Sequence, residues 1–268
     1  MILKHFIRAA AICGLFLTAT AQTSTLAPPN PEGVSIGHVH LLVPDVAKSR
    51  DIWKSFGATE ASSGSLQMLS LPGVYILFRE GEPNAPSGDT SINHIAFSVP
   101  DYADAKAKLT AVGAKIVLDN EANGQVLADL PDGVRFEFVI IKDQKEPILF
   151  HHIHLATVDQ PALRDWYVKT FGGEIGERNG MPSAVIPGGR VDMIAARGGP
   201  AKPSSGAAID HIGFEVTDMN VFAAKMQELG IKFDRDPQRR DEINLTIAFI
   251  TDPVGTSIEL TQGLAEVK

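Results

Sequence analysis

Histidine opens four apolar runs of this chain: GHVHLLV (His38), NHIAFSV (His94), HHIHLAT (His152) and DHIGFEV (His211), at intervals of 56, 58 and 59 residues. Each unit later turns at a glycine, and four residues beyond Gly73, Gly133, Gly189 and Gly255 lie Leu77, Glu137, Met193 and Glu259. Carboxylates at two of these positions and apolar side chains at the other two predict two His-His-Glu clusters, one per half of the chain. His38, His94 and Glu137 form the first set, and His152, His211 and Glu259 the second. Two imidazoles and a carboxylate on one face of an octahedral ion leave three coordination sites open.

A carboxylate in an apolar strand is costly to bury unless it is paired or bound to a cation. Arg135, two residues from Glu137 on the same face, is a competing partner for it, whereas Glu259 shares its face only with Ser257 and Thr261. His40 and His154 lie two residues beyond a candidate ligand, so they share its face of the strand. They could hydrogen-bond a substrate, move protons, replace a ligand or simply pack. His151 is expected on the opposite face, and Asp192, beside Met193, is expected to point away from the cluster.

The elements that must position these groups repeat in order. In the first unit, period-two patterning gives strands from Ile36 to Val43, 65–71 and 74–79, and an amphipathic helix runs from Val46 to Phe56. The second unit repeats this from Ile92, the third from His152 and the fourth from Ile209, each reading strand–helix–strand–strand–strand. SRDIWKSFGA resembles ALRDWYVKTFGG, so the two halves also resemble one another, with residues 142–147 as the join. Trp53, Trp166 and Tyr167 fall on the helices, where packing against a sheet is the expectation. No phosphate-cradling glycine motif follows any strand, which excludes a doubly wound nucleotide-binding sheet.

Composition narrows the setting. Lys4 and Arg8, the apolar run from Ala9 to Thr18 and Ala19-Thr20-Ala21 have the pattern of a cleaved secretory signal over residues 1–21. The expected location is therefore periplasmic or secreted, with no membrane anchor after cleavage, because the apolar run is too short to span a bilayer. Cys13 is the only cysteine, so the mature chain would hold no disulfide and no thiolate ligand. Losing Lys4 and Arg8 takes the net charge from −8 to −10, which argues against nucleic acid as a partner. Residues 22–33, with three prolines, read as a solvated tether.

With HVHLLVPD, INHIAFSVPD, HIHLATVD, IDHIGFEVTD, PDGVRFEF and DPVGTSIEL in register, the chain resembles the vicinal oxygen chelate superfamily over about residues 34–262. That superfamily includes glyoxalase I, extradiol dioxygenases and bleomycin-resistance proteins. The resemblance implies an α+β fold of four βαβββ modules paired into two cup-shaped mixed sheets, with domains at 34–142 and 151–262. It implies a divalent metal, Fe2+ first and Zn2+, Mn2+ or Ni2+ as alternatives, held by the six residues above, with His154 and His40 as candidate catalytic groups. A small-molecule substrate and a homodimer are the implied partners.

Leu77 and Met193 stand where glyoxalase-type enzymes carry a fourth ligand, which favours oxygenase chemistry over isomerisation. Against catechol ring-opening by the usual route, Phe249 stands where tyrosine is expected and no histidine precedes Glu259 in that stretch. A Lewis-acid lyase or isomerase and a non-catalytic small-molecule binding protein remain the alternatives.

Overall fold

The computed structural model describes residues 25–267. The expected signal segment, 1–21, lies outside the described residues. Module one comprises β1 (Val34–Val43), α1 (Val46–Phe56), β2 (Thr59–Ser63), β3 (Leu66–Leu71) and β4 (Val74–Glu80). Module two comprises β5 (Ile92–Val99), α2 (Tyr102–Ala111), β6 (Lys115–Asn120), β7 (Gln125–Asp129) and β8 (Arg135–Ile140). Module three comprises β9 (Leu149–Thr157), α3 (Gln160–Phe171), β10 (Glu174–Arg178), β11 (Met181–Ile186) and β12 (Gly189–Ala195). Module four comprises β13 (Ile209–Val216), α4 (Met219–Glu228), β14 (Arg235–Arg240), β15 (Leu245–Thr251) and β16 (Ser257–Gln262).

The aspartate that follows each opening strand starts the helix. Asp45, Asp101, Asp159 and Asp218 have extended backbones and accept from the amides of Lys48, Asp104, Ala162 and Asn220, capping α1 to α4. Such a cap satisfies donors that the first helical turn leaves unpaired.

Two curled eight-stranded sheets result, and their order corrects the expected pairing of modules. The first runs β14-β15-β16-β13-β1-β4-β3-β2, and the second β10-β11-β12-β9-β5-β8-β7-β6. Module one therefore pairs with module four, and module two with module three, rather than neighbours pairing within each half. At the first seam β1 and β13 are antiparallel, with His38 opposite Gly213 and His40 opposite His211. At the second, β5 and β9 set His94 opposite His154 and Ala96 opposite His152. The four opening strands carry the same pattern, so nothing local distinguishes one seam from the other.

The main core runs through both sheets, and a smaller cluster of Leu26, Met68, Tyr75, Leu77, Leu245 and Leu264 lies apart from it. Trp53 on α1 packs edge-on against Phe97 and Phe136 of the second sheet, and Phe171 on α3 stacks at 4.0 Å on Phe214 of the first. Trp53 and Tyr167 are fully buried, as their helical positions require. Residues 25–33 are not a solvated tether: Leu26 is buried, Thr25 Oγ1 bonds Ser70 Oγ, and Asn30 Nδ2 donates to the Phe171 carbonyl. Among the described residues, no helix is long and apolar enough to cross a membrane.

Candidate metal centre

Each seam gathers histidines from two modules at the floor of a cup. In the first cup Glu259 Oε2 lies 3.0 Å from His38 Nε2 and 2.9 Å from His211 Nε2. These spacings suit a hydrogen bond, and equally adjacent ligands on one ion with bonds of about 2.1 Å. The ligand sets expected for each half are thus corrected: His38 joins His211 and Glu259, while His94 and Glu137 join His152 in the other cup.

His211 is held from behind. Its Nδ1 donates to Asp210 Oδ1 at 2.6 Å, and Asp210 Oδ2 in turn accepts from Arg79 and from the Gly206 amide. Burial disfavours the charged ring, but the bonds to Asp210 and Glu259 outweigh it and lift the His211 pKa to about 9. Burial also opposes ionisation of Glu259, yet the bonds from His211 and His38 hold its carboxyl far below the usual range. His40 titrates at about 3, because burial and the neighbouring His211 and His38 penalise its charge. Both nitrogens of His40 and Nδ1 of His38 are buried with no hydrogen-bond partner among the described residues.

The space for the His38 ring comes from Gly213. A Cβ at that position would fall well inside the van der Waals envelope of the imidazole. Above the cluster opens a cavity of about 790 Å³, with His40, Leu77, His211 and Glu259 at its base and Arg235, Arg240, Ile247 and Phe249 on its wall. Phe249 meets His211 edge-on, and the Arg235 guanidinium lies 4.9 Å from the Phe249 ring. Unpaired buried imidazole nitrogens, an N,N,O donor set and room reserved for the ring fit a divalent ion.

The second cup is built differently. Glu137 Oε2 lies 3.3 Å from His94 Nε2 and 3.1 Å from His152 Nε2, and its other oxygen accepts from Gln125. Arg135 pairs with Asp129 at 2.7 Å, so it does not compete with the histidines for Glu137. Behind the cluster, His94 Nδ1 meets the amide oxygen of Asn93 and His152 Nδ1 meets His151. His151, expected on the opposite face, thus touches the back of a candidate ligand.

Asp192 points into the cup, 3.6 Å from His154 Nε2, and not away from it. The turn glycine of this module is Gly188, whose φ of 93° matches Gly73 at 95°, Gly133 at 87° and Gly255 at 88°. Counting four residues from Gly188 reaches Asp192, whereas Met193 is a core residue. The register agrees, since Asp192 pairs with His154 as Leu77 pairs with His40. Sequence reasoning turned Asp192 outward because two adjacent glycines offered two starting points. It missed Asp210, although that residue directly precedes His211.

Residues 149–260 match the model of the Glyoxalase/Bleomycin resistance protein/Dioxygenase superfamily. The match spans modules three and four. Glyoxalase I from Zea mays has a similar structure at 18% identity, with a TM-score of 0.64 over 87% of this chain and 94% of the maize chain. A candidate dioxygenase from Bacillus subtilis is similar at 14% identity, with a TM-score of 0.65 over 91% of this chain and 88% of the other. At these identities the likeness establishes the fold. No curated protein matches the sequence.

Proposed function

We propose that the protein is an exported metal-dependent enzyme acting on a small oxygen-bearing molecule, with its reacting centre in the first cup. One observation carries this reading: His38, His211 and Glu259 converge at the base of a cavity whose fourth ligand position is the apolar Leu77. A divalent ion on these residues, Fe2+ first, would supply Lewis acidity and, as iron, the capacity to engage O2 through open positions.

The chain's own residues supply the remainder. Asp210 fixes the ring orientation of His211, as carboxylates behind ligating histidines do. His40, neutral and unpaired at the base of the cavity, is placed to accept or return a proton on a substrate. Arg235 and Arg240 offer charge to an anionic part of the substrate, and Phe249 with Ile247 offers an apolar wall. Loading the protein with Fe2+ and measuring O2 uptake against a panel of phenols and keto acids tests the reading. Uptake with at least one compound, abolished in His211→Ala, is expected, and none with any compound counts against it.

A second reading is favoured by the proximity of His40 to His211, with ring centroids 4.6 Å apart. With His40 as a fourth ligand the site would be closed by protein donors, and Zn2+, Mn2+ or Ni2+ would serve lyase or isomerase chemistry. His40→Ala separates the two: unchanged metal affinity with lost turnover supports the first, and weakened affinity the second. Export is tested by the N-terminus of the protein recovered outside the cytoplasm, which is expected to be Gln22.

A further inference from the structure

We propose that the second cup carries its own cation, the guanidinium of Arg178, in place of a metal, so that the chain holds one ion and not two. Arg178 Nε donates to Asp192 Oδ2 at 2.8 Å, while Nη2 lies 3.2 Å from His152 Nε2 and 3.3 Å from His154 Nε2. Those ring nitrogens are the ones an ion would use. An ion bonded to His152 at about 2.1 Å would meet a fixed positive charge pressed against the same atom, and like charges at that range repel strongly.

The two cups act as controls for each other. Arg178 is the last residue of β10 and pairs with Met181 across Asn179-Gly180, both at positive φ, the residues a tight hairpin turn requires. The corresponding hairpin in the first sheet pairs Ser63 with Leu66 across Gly64 and Ser65, so a small hydroxyl stands where Arg178 stands. That hydroxyl donates to the Ile243 carbonyl. Leu77 in the first cup corresponds to Asp192 in the second, so guanidinium and carboxylate occur together where the first cup has neither. The residue behind the ring changes from Asp210 to the uncharged Asn93, and the residue facing the opening histidine changes from Gly213 to Ala96. Asp192 is fully engaged, accepting also from Ser183 at 2.5 Å and from Arg190 at 3.2 Å. The guanidinium that engages Asp192 and the loss of the carboxylate behind the ring move the second cup away from holding a dication and toward a self-neutralised ion pair.

Only the location of the one ion rests on the function proposed above. The test is the Mn2+ content of the full mature chain by equilibrium dialysis and elemental analysis, compared with Arg178→Met, His211→Ala and His94→Ala. One ion is expected in the parent, lost in His211→Ala and kept in His94→Ala, and a second is expected in Arg178→Met, lost again when His94→Ala is added. Two ions in the parent, one ion that disappears with His94→Ala, or no gain in Arg178→Met would overturn the proposal. A parent without any Mn2+ would sink the metal reading of the first cup, while a gain of one ion in Arg178→Met would still support the role of the guanidinium. If Arg178→Met fails to fold by circular dichroism, Arg178→Gln removes the charge while keeping a donor toward Asp192, and the same gain is expected.

Discussion

Gly213 carries no chemistry, yet the position of His38 depends on it. Gly213→Ala would drive a methyl group into the His38 ring, which must then move off the cluster. Metal affinity is expected to fall about 10- to 100-fold, the range for changes that disturb ligand orientation, with the far-ultraviolet circular dichroism spectrum unchanged. Asp210→Asn removes the carboxylate behind His211 and is expected to weaken the same ion by a similar factor, measured by competition with a chelating dye. An unchanged affinity in Asp210→Asn would show that the hydrogen bond to His211 only packs the ring. At this scale the six candidate ligands were legible as residues, because histidine at a strand start and glutamate in an apolar run are chemically conspicuous. Their partners were not. Asp192 and Arg178 act as a pair 14 residues apart, and neither is unusual until the other is in place.

At the scale of elements, the helix starts show how closely local sequence and structure agree. The aspartate two residues beyond each opening strand caps the following helix, and α1 begins and ends where the periodicity of the chain places it. Asp159→Ala removes the acceptor for the Ala162 amide and should cost about 1 kcal/mol, seen as a fall of roughly 2–4 °C in the unfolding temperature of a chain this size. Strand pairing was harder to read. Strands β1, β5, β9 and β13 have the same alternation, and edge hydrogen bonds are backbone groups that any of them could supply. The partner is chosen by the shared core, in which α1 and α3 bridge the two sheets, and that choice is non-local.

For the whole molecule, that pairing makes the two chain halves interdependent. The first half would contribute His38 to one cup and His94 with Glu137 to the other, so neither half alone holds the three donors of the first cup. Separately produced fragments 25–142 and 143–267 are expected to bind Mn2+ at least tenfold more weakly than the intact chain and to recover affinity on mixing, as read by metal titration of each sample. Full affinity in the second fragment alone would contradict the pairing of modules one and four.

Acidity provides a second test at this scale. His40 at about 3, His94 and His151 at about 4, and His152 well below its ordinary value all stay neutral in the folded chain because burial penalises their charge. Depressed values mean that the unfolded chain takes up these protons first, so the stability is intact above about pH 6.5 and is lost as pH falls toward 4. Groups with raised values act in the opposite sense. Burial lifts Glu215 to about 7, so its contribution declines between pH 4.5 and 7, and His211, lifted to about 9, loses its share between pH 6.5 and 9. The metal-free protein should therefore unfold at its highest temperature near pH 6.5, falling steeply toward pH 4.5 and gently toward pH 9. Scanning calorimetry across that range would detect the asymmetry, and a maximum at or below pH 5 would contradict the neutral state of the buried histidines.

The most direct test of a cation site assembled from the first and last modules is an anomalous difference map from crystals of the Mn2+-saturated protein. A peak within about 2.3 Å of His38 Nε2, His211 Nε2 and a Glu259 carboxylate oxygen is expected. A peak among His94, His152 and Glu137 instead, or none at saturation, would contradict it.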